Sequence, residues 1–309
     1  MHIVVLDEVE LSDRQYRRLA SLGSVDVQHD SPVDGGEAVR RLAQADIAVV
    51  GWTQLGAAEL AQLPRLRLIS VWATGFDYVD TTFARERAIT VTNVPSYAER
   101  AVAELTIGLL LTLARKIVPA DLSVRRGSYE WRGFQGFELP GKTLGLIGVG
   151  SIGREVSRLA KAFDVRVLAH SPNLTPARAA TLGVDCVSLH ELLSSSDVVS
   201  LHVPLTAGTR QLIGRDEIAL MRPTGFIINT SRAAVTDQSA LVDALAQGRI
   251  AGAALDDIDF PDERLTRLPN VVLTPHIGFY TDRAITRKGD VCISNIAAYL
   301  AGTPDNVVN

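Results

Sequence analysis

The chain is poor in the features that mark secreted, nucleic-acid-binding or membrane proteins. Only two of its 309 residues are cysteine, Cys186 and Cys292. They lie far apart and form no metal-type pair. They fit a reducing compartment in which both are expected to be buried thiols. Neither sign of charge is in excess. The formal net charge is −4, so nothing pulls the chain strongly toward nucleic acid. No long hydrophobic run is present. The tract "LTIGLLLTLA" at 105–114 is too short to span a bilayer and reads as a buried helix. The opening "MHIVVLDEVE" has no basic leader and reads as a first strand, not a signal peptide. Low-complexity segments and short-period repeats are missing too. A cytoplasmic protein without nucleic-acid or membrane partners, and without a metal site, is expected.

What is present is a soluble globular composition, 47% hydrophobic and 21% charged, in a chain long enough for two domains. Short apolar runs alternate with segments of helical period. "IVVL" (3–6), "IAVV" (47–50) and "RLISV" (67–71) read as buried strands, with helices near 12–22, 56–63 and 80–87. The pattern resumes with "TLGLIG" (143–148), "VRVLA" (165–169), "DVVSLH" (197–202), "GFIINT" (225–230), "AGAAL" (251–255) and "NVVLTP" (270–275). Strand alternating with helix predicts an α/β protein with parallel sheets covered on both faces. A helix over 97–117 is apolar nearly all round and must be packed on most sides. It is followed by an arm or connector, "RRGSYEWRGFQGFELPGK" (125–142). A last helix is expected near 281–301.

Within this frame "LGLIGVGSIGREV" (144–156) carries glycines at Gly148, Gly150 and Gly153. A strand precedes the turn and an amphipathic helix follows it. In such a turn the first glycine permits the tight bend. The second lets backbone N–H groups approach a pyrophosphate, and the third lets helix and strand pack closely. The anion would sit at the helix N-terminus. The next strand should end in an acidic residue if it holds the ribose 2′-hydroxyl of NAD. Here that position is Ser171. Serine does not repel a 2′-phosphate, and the nearest candidate to attract one, Arg178, lies on the following helix. NAD and NADP both stay open.

Further segments, in this order, are "VWATGFDYVD" (71–80), "NVPSYAERAVAE" (93–104), "LHVPLTAGTRQLI" (201–213), "NTSRAAVTD" (229–237), "GAALDD" (252–257) and "LTPHIG" (273–278). Together they resemble the D-isomer-specific 2-hydroxyacid dehydrogenases, over nearly the whole chain. The resemblance implies two doubly wound parallel-sheet lobes. A Rossmann nucleotide-binding lobe, 98–279, would be inserted in a flavodoxin-like catalytic lobe, 1–97 plus 280–309. It also implies hydride exchange between NAD or NADP and a 2-keto or D-2-hydroxy acid, and a two-fold homodimer formed through the 97–117 helix and the arm.

Residue by residue, the resemblance makes Arg232 the group that forks onto the substrate's carboxylate and keto oxygens. His276 becomes the proton donor, a role suited to a group that changes charge near neutral pH. The family's glutamate partner for this histidine is missing: five residues beyond Asp256 stands Pro261. Asp259 or Asp262 would have to substitute. Thr74 and Gly75 would offer N–H groups to the substrate carboxylate, and Trp52 would contact the substrate. Trp72 and Phe76 either line an apolar substrate pocket or belong to the core. Ser151, Ile152 and Gly278 join the glycine turn and Ser171 around the cofactor. Val102 would face the nicotinamide and His202 the cofactor cleft. Pro204 and Thr209 would lie on the adenosine side, Thr230 beside the nicotinamide ribose and Asp256 at the carboxamide. Two alternatives share the fold: a formate- or phosphite-type dehydrogenase, and a dinucleotide-sensing interaction protein without turnover.

Overall fold

A computed structural model describes all 309 residues. The chain forms two compact units. Unit 1 is Met1–Ala98 with Tyr280–Asn309, and unit 2 is Glu99–Phe279.

Unit 1 is built on five parallel strands: β1 (His2–Val5), β2 (Ser24–Val27), β3 (Ile47–Val50), β4 (Leu68–Val71) and β5 (Thr90–Thr92). Their order is β2-β1-β3-β4-β5, the flavodoxin-like winding. β3 and β4 are buried at every position. That is why they appear in the sequence as near-continuous apolar runs, interrupted only by Ser70, rather than alternating ones. β2, "SVDV", sits at the sheet edge with half its residues exposed, and β5 has three residues. Neither offers a run long or apolar enough to be read from the sequence. The helix Asp282–Leu300 packs against β4, so the end of the chain belongs to unit 1.

Unit 2 holds seven parallel strands: β6 (Thr143–Ile147), β7 (Arg166–His170), β8 (Asp185–Cys186), β9 (Val198–Leu201), β10 (Phe226–Asn229), β11 (Gly252–Leu255) and β12 (Val271–Leu273). The order is β12-β11-β10-β9-β6-β7-β8. It reverses between β6 and β9, and sheets wound this way leave a crevice for ligands outside the carboxyl ends of the strands at that point. One face is covered by the helices Glu99–Arg115 and Ser151–Lys161, with Ile107, Leu110, Val156 and Ala160 in the buried layer. The other is covered by Leu189–Ser195 and Gln238–Ala246, through Leu192, Leu193, Leu241 and Leu245. Each of the leucine, isoleucine and valine side chains contributes about 1.5–3 kcal/mol on burial.

Three expectations change. The apolar helix stops at Arg115, because Lys116 turns left-handed (φ 51°). A second helix, Ile117–Arg125, fills the stretch between that helix and the arm that begins at 125. Its apolar side chains Ile117, Leu122 and Val124 are exposed, as are Tyr129 and Trp131 beyond it. Cys186, on an edge strand, is exposed, whereas Cys292 is buried. No helix is long and apolar enough to cross a membrane.

Candidate active site

In unit 2 the functional side chains cluster at the carboxyl ends of β6, β9, β10 and β11. The glycine turn leaves β6, and its three glycines answer three different needs. Gly148 has φ 94°, and a Cβ there would lie 2.5 Å from the carbonyl oxygen of His202. A Cβ on Gly153 would meet the Gly148 carbonyl at 2.2 Å, so only glycine lets the helix sit this close to the strand. Gly150 differs: a Cβ there would meet nothing within 4 Å. It is the N-cap of the helix that opens with Ser151 and Ile152, and no side chain caps that end. The first-turn N–H groups therefore keep their donors, beside open space that the fold itself does not need.

β7 ends at His170 and is followed by Ser171, with no carboxylate there. Arg178 lies exposed in the first turn of the helix Pro176–Leu182. His202 packs behind the turn, its Nε2 2.9 Å from Ser200 Oγ. Burial drives its pKa down to about 4, so it is a neutral packing group. Thr209 donates to the Pro204 carbonyl at 2.6 Å and accepts the Thr206 N–H at 2.8 Å, knotting its own loop.

β10 delivers Arg232. The Asn229 carboxamide accepts from Ser231 N at 2.9 Å and Ser231 Oγ at 2.7 Å. It also donates to the Arg232 carbonyl at 2.9 Å. It thus folds the chain into the turn that presents the arginine, while Thr230 Oγ1 meets Thr106 Oγ1 at 3.1 Å. β11 delivers two adjacent carboxylates with different tasks. Asp256 is buried and turned onto the His276 loop. It accepts from Thr274 Oγ1 at 2.5 Å, Ile277 N at 2.9 Å and Gly278 N at 2.8 Å. These bonds make Asp256 the brace of that loop. Gly278 is glycine for the same reason, since a Cβ would stand 2.8 Å from Asp256 Oδ2. The Val102 side chain lies on the same glycine, 3.5 Å from that position.

Asp257 is the carboxylate against His276. Its Oδ1 lies 3.5 Å from His276 Nδ1, and its Oδ2 accepts the Ala233 N–H at 3.2 Å. Burial raises its pKa. The His276 contact, the Ala233 N–H and the charge of Arg232 outweigh that and hold the carboxyl below its ordinary range. One anion therefore ties the arginine turn to the histidine. His276 itself sits at φ 56°, a left-handed conformation that a non-glycine residue holds only when its surroundings impose it. The Asp256 brace supplies that constraint.

Neither Asp259 nor Asp262 is this partner. Asp262 caps the short helix Glu263–Thr266 by accepting from Arg264 N and Leu265 N, and also receives Gln238 Nε2. Asp259 meets Gln238 through its backbone N–H and carbonyl. The family spacing of five residues beyond Asp256 points to Pro261 and its acidic neighbours Asp259 and Asp262, and so passes over Asp257. The signal for it was the acidic doublet directly at a strand's end. Asn229 was missed because an asparagine ending a strand has no distinctive spacing.

A family model described as "D-isomer specific 2-hydroxyacid dehydrogenase, NAD binding domain" matches residues 107–278. The chain belongs to the D-isomer specific 2-hydroxyacid dehydrogenase family. The dehydrogenase is 39% identical over 286 residues to a glyoxylate reductase of Thermococcus litoralis, covering 89% of this chain and 86% of that one. It is 38% identical over 279 residues to a D-3-phosphoglycerate dehydrogenase of Methanocaldococcus jannaschii, covering 88% of this chain but 53% of that protein. Among solved structures it is similar to an acyclic imino acid reductase in complex with NADPH and D-Arg, with a TM-score of 0.92 and 34% identity, over the whole of both chains. The dehydrogenase is thus an oxidoreductase that exchanges a hydride between a nicotinamide cofactor and a 2-keto or 2-hydroxy acid. The open cradle at Gly150 fits the pyrophosphate of such a cofactor, which when bound supplies or takes up the hydride.

In unit 1 the corresponding edge carries Trp52 and Thr74. Asp7, fully buried at the end of β1, accepts the N–H groups of Gly51, Trp52 and Thr53 at 2.7, 3.2 and 3.3 Å. The Tyr78 hydroxyl donates to the Gly51 carbonyl at 2.5 Å. This clamp shapes the loop after β3, leaving the Trp52 ring half exposed with its Nε1 on Ser31 Oγ at 2.7 Å. Thr74 Oγ1 donates to the Val94 carbonyl at 2.7 Å, fixing the loop that continues into Gly75. Trp72 is buried and Phe76 packs on the unit's core, so neither ring lines an open pocket within this unit.

Proposed function

We propose that this dehydrogenase reduces small, unphosphorylated 2-keto acids of the glyoxylate type. In this reading Arg232 binds the substrate carboxylate and keto oxygen, and Thr74 and Gly75 add N–H donors to the carboxylate. His276 gives its proton to the keto oxygen as the carbon accepts hydride, so the product leaves as a neutral hydroxyl. Asp257 holds the ring at its Nδ1; Asp256 and Asn229 keep the two presenting turns in shape. The observation that carries the reading is the single carboxylate, Asp257, shared between the His276 ring and the Arg232 turn. It also removes the motive for a formate- or phosphite-type enzyme, which was the apparent lack of a partner for His276.

Cofactor choice follows from what β7 lacks. With Ser171 in place of a carboxylate and Arg178 exposed on the next helix, the site accepts a 2′-phosphate, and NADPH is preferred. A crossed assay of NADH and NADPH against glyoxylate, hydroxypyruvate, phenylpyruvate and 3-phosphohydroxypyruvate tests both points. Faster turnover of the phosphorylated acid refutes the substrate class. A second reading, reduction of 2-imino acids, is favoured by the similarity to the imino acid reductase. Turnover that appears only when ammonium or methylamine is added to the keto acid would establish it.

The assembly in this reading is a two-fold homodimer. The exposed apolar face of Ile117–Arg125, with Tyr129 and Trp131, would cover its own copy. A monomeric mass in light scattering at micromolar concentration refutes this.

A further inference from the structure

The C-terminal helix returns a lysine to the interior of unit 1. Lys288 is 3% exposed, an unusual place for a side chain whose charge water solvates so well. Its Nζ lies 3.6 Å from the centroid of the Trp72 ring and 5.2 Å from that of Tyr97. Those rings stand in the two segments that leave β4 and β5. Trp72 begins the loop that holds Thr74 and Gly75. Tyr97 ends the segment that begins at Asn93, and the two segments are tied to each other. Val94 N donates to the Ala73 carbonyl at 2.8 Å, Thr74 Oγ1 to the Val94 carbonyl at 2.7 Å, and Asn93 Nδ2 to the Thr74 carbonyl at 2.8 Å. The same helix grips this pair a second time, through Asn295 Nδ2 on the Asn93 carbonyl at 2.7 Å.

We propose that Lys288 is a positioning residue for the Ala73–Gly75 loop: its ammonium, held against the Trp72 and Tyr97 rings, keeps that loop in the shape that receives the substrate carboxylate. The inference rests on the reading that Thr74 and Gly75 bind that group. A purely structural role fits poorly, because burial drives the amine's pKa down to about 7, with Cys292 and Glu10 opposing it. The protonated form is therefore a burden on the fold, and an apolar side chain of similar length would fill the space without it. Cys292, on the same helix, has its thiol pushed up to about 11 by burial and stays neutral. Glu10, in the loop after β1, is engaged by the Tyr280 hydroxyl. Arg287 donates to the Tyr97 carbonyl at 3.5 Å. As pH rises through about 7 the ammonium loses its proton and with it the attraction to both rings. The loop then loosens, and keto-acid affinity falls.

The test compares wild type with Lys288→Met and Lys288→Arg, using glyoxylate from pH 6 to 9. The methionine variant should raise the glyoxylate KM about tenfold at pH 6.5, with kcat and the NADPH Kd within about twofold. Its KM should no longer vary across pH 7. Arginine should restore a low KM and keep it low at pH 8–9. Trp72 emission, followed in a Trp52→Phe, Trp131→Phe background used for spectroscopy alone, should titrate near pH 7 in the presence of Lys288 and not with methionine. A wild-type KM in Lys288→Met, or a raised KM that keeps the wild-type pH dependence, overturns the inference. Failure of the wild-type enzyme to turn over any 2-keto acid strikes the parent reading instead. The Trp72 titration reports on the lysine in either case.

Discussion

Replacing Asp257 by asparagine removes one charge while leaving an oxygen for the Ala233 N–H. Opposite unit charges 3.5 Å apart attract by about 5 kcal/mol at an effective dielectric of about 20. The His276 and Asp257 side chains are 44% and 25% exposed, so water screens most of that. The contact is also at the long end for a hydrogen bond. About 1–2 kcal/mol remains, as for a partly exposed charge-assisted pair. It acts on the protonated imidazole, the form that gives up the proton during reduction. Steady-state reduction of glyoxylate should therefore show kcat lowered about tenfold in Asp257→Asn, with KM and the NADPH Kd within about threefold. The sign of the pH dependence follows from the depressed carboxyl of Asp257. Its charge is fully present above its ordinary carboxylate range and is lost only as pH falls through the lowered folded value. The deficit should thus be constant from pH 5 upward and shrink only on further acidification. Asp259→Asn and Asp262→Asn are the controls and should keep wild-type kcat. A fully active Asp257→Asn, or a comparable loss in either control, would refute the assignment of this carboxylate.

Four further outcomes are expected. Gly150→Ala should fold with a melting temperature within about 2 °C of wild type and lose roughly tenfold or more in NADPH affinity by fluorescence titration. Gly153→Ala should lower the melting temperature by several degrees, because its Cβ would collide with the Gly148 carbonyl. Ser171→Asp should move the ratio of kcat/KM for NADPH over NADH toward NADH by about tenfold or more, since a carboxylate repels the 2′-phosphate; an unchanged ratio would mean that the ribose is read elsewhere. Lys288 binds fewer protons folded than unfolded between pH 7 and its ordinary value, so stability should rise with pH across that window. The span is roughly 4–5 kcal/mol as an upper bound; denaturation at pH 7 and 9 should show the rise in wild type and not in Lys288→Met.

The parts of this protein that were legible in its sequence share a physical property: their signal is local. The buried strands β3, β4, β6, β9 and β10 are mostly apolar runs without alternation, because parallel strands covered on both faces leave no exposed side to alternate. The glycine turn announces itself because sterics at Gly148 and Gly153 admit no side chain. Edge strands such as β2 and the two-residue β8 stayed hidden because edge position and brevity remove that apolar run. Arg232 and His276 were reached through motifs, which mark positions but say nothing of what stands beside them.

What the sequence by itself determined was the alternation of strand and helix, the anion-ready turn, and the missing acidic residue at Ser171, each set by interactions within a few residues of chain. Only the tertiary structure decided which of several acidic residues meets His276, which of them braces a loop, and that a lysine from the last helix lies against two rings from the first hundred residues. Those outcomes depend on how the carboxyl ends of separate strands are brought side by side, and on what a buried charge finds there. Contacts of that kind join residues far apart in the chain, and no spacing along it records them.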